Sequence, residues 1–78
     1  MLKKRNKLLI MDLILIGKVI REKRNALSLR QEELSERSDV AIKTIHSIEL
    51  GKGNPSLKTI AKILDVLELD IIIISAKK

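Results

Sequence analysis

Apolar residues in the first third of the chain recur at intervals of three and four, the spacing of a helix with one buried side. Residues 13–26 are predicted to form the first helix, and Asp12 is placed to act as its N-cap. The inward stripe of this helix consists of Leu13, Ile16, Val19 and Ile20.

A second, shorter helix is predicted over residues 30–37, with Leu34 as its inward residue. Ser28 and Gln31 have the spacing of a capping box, although the helix has an equally good start at Arg30. With either start, a tight turn follows the end of this helix and precedes the next helical segment.

The third predicted helix, residues 41–50, has two distinct sides. Asp39, in the turn before it, is expected to take the left-handed backbone that glycine usually adopts. One side consists of the apolar residues Ala41, Ile45 and Ile48. The opposite side consists of Lys43, His46, Ser47 and Leu50. Two short helices joined by a tight turn, the second with a polar outward side, form a helix-turn-helix.

A fourth helix is predicted over residues 57–67, after a loop at residues 52–55 that holds the only glycine and proline cluster. Gly51 is placed to cap the third helix, and Pro55 with Ser56 starts the fourth. The inward residues of the fourth helix are Leu57, Ile60, Ile63, Leu64 and Leu67.

The pattern changes after the fourth helix, where residues 70–75 read DIIIIS. The four isoleucines of this segment are Ile71, Ile72, Ile73 and Ile74. β-Branched residues that are apolar on both faces predict a strand covered on both sides. The chain offers few internal partners, so we expect the strand to pair with the same strand of a second copy, giving a homodimer.

Length and composition restrict the classes of protein that remain. A chain of 78 residues has room for one small domain, and the absence of cysteine excludes disulfides and thiolate metal sites. The absence of Phe, Tyr and Trp argues against nucleic-acid modules that stack bases on aromatic rings. The net charge of +6 indicates either a polyanionic partner or good solubility.

The positive charge is concentrated at the N-terminus, where four basic residues occur without an acidic one before residue 12. We therefore divide the chain into residues 1–11, a basic tail or arm, residues 12–68, the helix-turn-helix domain, and residues 69–78, the dimerisation strand and tail. The tail is expected to be a solvated terminus, an arm on backbone phosphate, or an extra strand over residues 8–14.

The basic leader and the apolar run that follows it do not have the pattern of a signal peptide. Asp12 interrupts the run, and no small-residue cleavage site follows. No apolar stretch approaches the length that spans a bilayer. We expect a cytoplasmic protein that does not act in a membrane.

The stretch from Ile16 to Leu67 resembles the Xre/lambda-repressor-like family of helix-turn-helix regulators. The resemblance rests on IGKVIREKR, on LRQEELSERSDVAIKTIHSIELGKGNPSLKTIAKIL and on the spacing between them. The ending LELDIIIISAKK resembles more particularly the HipB-type antitoxins, in which a strand after the fourth helix pairs across the dimer. The resemblance implies a mainly α, four-helix domain with a C-terminal β-strand paired across a homodimer.

The resemblance also implies that the third helix enters the major groove of double-stranded DNA, at a palindromic operator. The implied base-facing residues are Ala41, Ile42, Lys43, Thr44 and Ser47, with His46 alongside. The implied phosphate contacts are Arg30, Gln31, Lys52, Asn54 and Lys58. Phosphate contacts orient the protein on the DNA, whereas base-facing residues read its sequence.

Arg24 and Glu49 fall where the family places an ion pair between the first and third helices, the alternative being two unrelated surface charges. His46 is the sole histidine, and without cysteine or a carboxylate–histidine cluster it predicts neither a metal site nor a catalytic one. We therefore expect no enzyme activity and no cofactor.

Three functions remain open. The first is a dimeric, sequence-specific DNA-binding repressor. The second is an antitoxin that neutralises a HipA-like kinase toxin and represses their shared operon. The third is a helix-turn-helix fold used for protein interaction or for attachment to a membrane surface through Lys3–Lys7 and Leu8–Ile10.

Overall fold

The computed structural model describes residues 2–72, with side chains from residue 13 onward. Its helices, in chain order, are α1 (Leu2–Ala26), α2 (Gln31–Ser38), α3 (Ile42–Glu49) and α4 (Leu57–Val66). The described residues contain no β-strand. The predicted mainly α, four-helix architecture is confirmed, and each of the last three helices lies within one residue of its predicted ends.

α1 is much longer than the apolar pattern predicts. It begins at Leu2, so Asp12 lies inside the helix, and both the predicted N-cap and the alternative strand over residues 8–14 are wrong. Residues 2–11 contain neither glycine nor proline and consist mostly of leucine, lysine and arginine, which favour helix. The residues expected as a separate tail therefore form the first turns of α1.

The core is aliphatic and lies where the helices meet. Its buried side chains are Ile20, Leu29, Leu34, Val40, Ile45, Ile48, Ile60, Ile63, Leu64 and Leu67. Most of the predicted inward residues are among them, but Leu13, Val19 and Leu57 are 37%, 41% and 63% exposed. Ala41 is also exposed. These four were predicted wrongly. Leu13, Val19 and Leu57 lie on sides of α1 and α4 that the described chain leaves exposed, and Ala41 is the N-cap of α3, before its inner side begins.

Gly17 allows α1 to cross the C-terminal end of α3 at very close range. A Cβ atom at this position would overlap the carbonyl oxygen of Ile48 and would lie 3.2 Å from the backbone nitrogen of Gly51. A glycine inside a helix normally costs about 1 kcal/mol relative to alanine. Here it is required, because any side chain would push the two helices apart.

The start of α2 differs from the predicted capping box. Ser28 has a left-handed backbone with φ of 57°, and the helix is capped by Arg30 instead. The Glu33 carboxylate accepts a hydrogen bond of 2.8 Å from the backbone N–H of Arg30. An arginine side chain has no acceptor with which to return this bond, so only half of a capping box forms.

The turn between α2 and α3 is held by local hydrogen bonds. Asp39 takes the predicted left-handed conformation, with φ of 60°. Ser38 Oγ donates to the carbonyl oxygen of Leu34, and Ser35 Oγ donates to that of Val40, both at 2.6 Å. These bonds fix the angle at which α3 leaves α2 and therefore the direction in which its outer side faces.

The chain leaves α4 through a turn at Glu68, whose φ is 59°. Leu69 packs against the core, whereas Ile71 and Ile72 are 43% and 79% exposed. Residues 70–72 are neither helical nor part of a β-strand in the part of the chain that the structure describes, so these residues do not support the strand predicted over residues 70–75. The rest of the predicted strand, residues 73–75 with Ile73 and Ile74, lies outside the described residues. Over residues 2–72 no helix is both long enough and apolar enough to cross a membrane.

Candidate nucleic-acid interface

A bidentate ion pair fixes α3 against α1. Arg24 Nε lies 2.7 Å from Glu49 Oε2, and Arg24 Nη2 lies 2.9 Å from Glu49 Oε1. The Arg24 side chain is 12% exposed and the Glu49 side chain 3%. The structure thus brings together the two charges that the resemblance pairs. Paired, hydrogen-bonded charges are tolerated in the interior, whereas an isolated one is not.

The same pair ties in the second helix and the preceding loop. Arg24 Nη1 donates to the carbonyl oxygen of Leu29 at 2.8 Å, and Gln31 Nε2 donates to Glu49 Oε1 at 3.1 Å. Hydrogen bonding to Glu49 raises the pKa of Arg24 above its usual value; burial opposes this shift, and Coulomb attraction to Glu49 reinforces it. Arg24 therefore stays charged at any pH near neutrality. The Glu49 carboxylate on α3 thus binds Arg24 of α1 and Gln31 of α2, and so joins the three helices.

With its inner side fixed, α3 presents the predicted base-facing residues outward. The exposed ones are Ala41, Ile42, Lys43 and His46, and the half-buried ones are Thr44 and Ser47. Side chains projecting from the first turns of an exposed helix have the reach and direction that major-groove recognition requires.

A shallow cleft of about 320 Å³ separates α3 from the loop that follows it. Its α3 side is formed mainly by Lys43, Thr44 and Ser47. Its loop side is formed by Lys52, Gly53, Asn54 and Pro55. Three predicted base-facing residues and two predicted phosphate contacts are thus brought together. We call this feature the α3 cleft.

The loop side of the α3 cleft is shaped by two glycines in the left-handed conformation. Gly51 has φ of 73° and Gly53 has φ of 81°. The backbone N–H of Lys52 donates to the carbonyl oxygen of Ser47 at 2.9 Å, which holds the loop against the end of α3. Both charged residues that line the cleft are lysines, so it suits an anionic partner such as phosphate.

The remaining predicted phosphate contacts lie away from the α3 cleft. Arg30 is exposed at the start of α2, and Lys58 is exposed in the first turn of α4. Gln31 is half-buried, and its amide already donates to Glu49, which leaves it one further N–H for a phosphate. Gln31 is therefore part of the network that positions α3.

Sequence reasoning missed Gly53 and Pro55 as walls of the α3 cleft. The sequence did mark these two residues, because they belong to the only glycine and proline cluster of the chain.

The described part of the chain holds no group of three His, Cys, Asp or Glu residues arranged to bind a metal ion.

Comparisons with known proteins agree with this geometry. A family model described as helix-turn-helix matches residues 20–74, which is more than half of the chain. A candidate HTH-type transcriptional regulatory protein of Methanococcus maripaludis is 41% identical over 56 residues, or 72% of this chain. The chain spans 17% of the length of that relative. On the family match, the fold and the exposed α3, this chain belongs to the helix-turn-helix family.

Proposed function

We propose that the protein is a sequence-specific, double-stranded DNA-binding transcriptional regulator that acts as a repressor. The observation that carries this proposal is the exposed outer side of α3, with the lysine-bearing α3 cleft beside it. α3 enters the major groove, and the loop after it lies along the adjoining phosphates. The similarity to the candidate regulator of Methanococcus maripaludis supports the same function. The proposal includes no enzyme activity.

Within this proposal the two lysines of the α3 cleft have different tasks. Lys43 lies in the first turns of α3 and donates to the O6 and N7 atoms of a guanine. Lys52 lies on the loop and neutralises a phosphate, which contributes affinity without sequence information. Replacing each lysine in turn therefore distinguishes base recognition from positioning on the phosphate backbone.

Replacing Lys43 with alanine is expected to cost about 1–3 kcal/mol of binding free energy on the preferred site and to relax the preference at one base pair. Replacing Lys52 with alanine is expected to weaken binding uniformly across sequences and to reduce the slope of log K against log salt by about one. Binding to a selected duplex and to scrambled duplexes, measured across a salt series, distinguishes the two effects.

Lys18 is the matched control, since it is an exposed lysine on α1 outside the α3 cleft. Its replacement with alanine should leave sequence preference unchanged. Equal losses for Lys43→Ala on preferred and scrambled duplexes would contradict the assignment of Lys43 as a base-reading residue.

The proposal includes a homodimer joined through the segment from Ile71 to Ile74. It is supported by the large exposure of Ile71 and Ile72 and by the resemblance of the C-terminal segment to HipB-type antitoxins. Two joined copies place their recognition helices about one DNA turn, roughly 34–36 Å, apart on a palindromic site. Each half-site alone binds weakly, so operator affinity depends on the dimer.

Replacing Ile72 with glutamate is expected to shift the protein from dimer to monomer, because the substitution places a charge in an apolar interface. Operator binding should weaken along with dimerisation, although the residue touches no DNA. Analytical ultracentrifugation measures the first effect and a binding titration the second. Ile72→Val keeps a β-branched apolar side chain and should remain a dimer; a dimeric Ile72→Glu protein would contradict strand pairing.

The resemblance of the C-terminal segment to HipB-type antitoxins extends the proposal to a partner. In this extension the protein neutralises a HipA-like kinase toxin in the cytoplasm and represses the operon that encodes both. Co-purification with a kinase-fold protein encoded beside it is the expected result. If no gene for a kinase-fold protein adjoins this one in the genome, the antitoxin extension is contradicted and the proposal is a repressor without a toxin partner.

A further inference from the structure

The N-terminal part of α1 extends beyond the rest of the fold. Ile14 lies against Gly51 at the end of α3, and from there the helix continues to Leu2 over about 18 Å. The fold measures 40 × 21 × 21 Å, and its long dimension is close to the ~37 Å expected of a 25-residue helix. We call residues 2–12 the N-terminal arm. The family match begins only at residue 20, so the arm is an addition to the matched domain.

The composition of the arm and of the helical turn after it indicates that another surface covers them. Eight of the nine residues from Leu8 to Ile16 are apolar, and Asp12 is the exception. A helix that is apolar on all sides is stable in water only when other surfaces cover it. Lys3, Lys4 and Arg5 make the far end of the arm strongly basic. The arm therefore suits an apolar groove with an acidic edge.

Such a groove lies between α1, α4 and the segment after α4. It has a volume of about 430 Å³, and its apolar lining includes Leu15, Val19, Leu57, Leu69 and Ile72. Leu57 is 63% exposed and Leu15 is 55% exposed, although both are large aliphatic residues. We call this feature the α1–α4 groove. A contiguous exposed apolar surface of this kind marks an interaction site.

One end of the α1–α4 groove is acidic. Residues 63–72 contain Asp65, Glu68 and Asp70 and no basic residue. All three acidic residues are exposed, and Asp70 lines the groove itself. A smaller hollow lined by Asp65, Asp70 and Ile71 continues the groove along this edge. We call Asp65, Glu68 and Asp70 the acidic rim.

We propose that the N-terminal arm of one copy lies in the α1–α4 groove of a second copy, with its basic end against the acidic rim. The arm cannot fill the groove of its own chain, because it forms one continuous helix with Leu15 and Val19, which are part of the groove wall. The exchange is reciprocal, so each copy gives an arm and receives one. Each copy thereby covers the exposed aliphatic side chains that a single chain leaves in water.

This inference rests on the homodimer of the proposed function and adds a second contact to it, separate from the strand. Both contacts use the same side of the fold, since Ile71 and Ile72 line the α1–α4 groove. The partner's arm would therefore pack beside the paired strands. α3 and its cleft remain free for DNA.

Charge reversal on each side tests the arm exchange in the full chain. One variant carries Lys3→Glu, Lys4→Glu and Arg5→Glu, and the other carries Asp65→Lys, Glu68→Lys and Asp70→Lys. Each is expected to raise the dimer dissociation constant about tenfold at low salt, because attraction becomes repulsion at several pairs. A 1:1 mixture of the two variants restores both contacts and is expected to form a heterodimer with near wild-type affinity. Sedimentation measures all three samples, with circular dichroism confirming helical folds.

The outcomes separate this inference from the proposed function. A wild-type protein that sediments as a monomer would contradict the homodimer, and with it both strand pairing and the arm exchange. A wild-type dimer with both variants unaffected, or a mixture that does not recover, would overturn the arm exchange and leave strand pairing in place. An arm variant that dimerises normally but loses affinity for DNA or for anionic vesicles would also overturn it, since the arm would then bind phosphate groups instead.

Discussion

Replacing Glu49 with alanine is expected to lower the free energy of unfolding by about 3–5 kcal/mol, the usual cost of removing one partner of a buried ion pair. The substitution leaves the guanidinium of Arg24, whose side chain is 12% exposed, without its carboxylate partner. Gln31 loses the acceptor for its amide at the same time. The helices α1, α2 and α3 meet at this carboxylate, so the loss also loosens the orientation of the DNA-facing helix.

Urea unfolding of the wild type, Glu49→Ala and Glu36→Ala measures this effect. Glu36 is an exposed glutamate on α2 and is the matched control, expected to change stability by less than about 0.5 kcal/mol. For a domain of this size each kcal/mol corresponds to a shift in Tm of about 4–8 °C. A Glu49→Ala protein as stable as Glu36→Ala would show that the pair does not hold the fold.

Replacing Gly17 with alanine is expected to destabilise the protein by about 3 kcal/mol, at the upper end of what overpacking costs. The added Cβ would overlap the carbonyl oxygen of Ile48, and backbone atoms cannot turn aside as a flexible side chain can. α1 would have to move away from α3, opening the core around Ile20 and Ile48. The sign is diagnostic, because at an open helical position the same change stabilises by about 1 kcal/mol.

Lys18→Ala controls for helix propensity, since it alters the exposed neighbour of Gly17 on the same helix. Thermal unfolding followed by circular dichroism should show a Tm close to that of the wild type for this control and a much lower one for Gly17→Ala. A more stable Gly17→Ala protein would mean that α1 and α3 do not approach as closely as the structure has them.

Local rules were sufficient for most of the fold. The three- and four-residue spacing predicts four helices, and the chemistry of an aspartate in a tight turn predicts the left-handed Asp39, which is observed. The contact between Arg24 and Glu49 joins positions 25 residues apart, so only the resemblance to a family indicated it. The base-facing and phosphate-contacting residues remain predictions.

Other features were not predictable from the apolar pattern. The apolar stripe predicts that α1 begins at residue 13 with Asp12 as its N-cap, whereas the helix-favouring residues before it extend the helix back to Leu2. The need for Gly17 arises only once α1 crosses α3. The α3 cleft depends on how the loop folds back after Gly51, and spacing along the chain does not give that path.

Selection of bound sequences from a pool of random DNA duplexes tests the central claim, that α3 reads DNA, most directly. The account predicts enrichment of one sequence made of two inverted half-sites whose centres lie about 10 base pairs apart. It also predicts that the base preference at one position of each half-site is lost with Lys43→Ala. Recovery of no preferred sequence at low salt, or the same sequence with the same preference from Lys43→Ala, would contradict it.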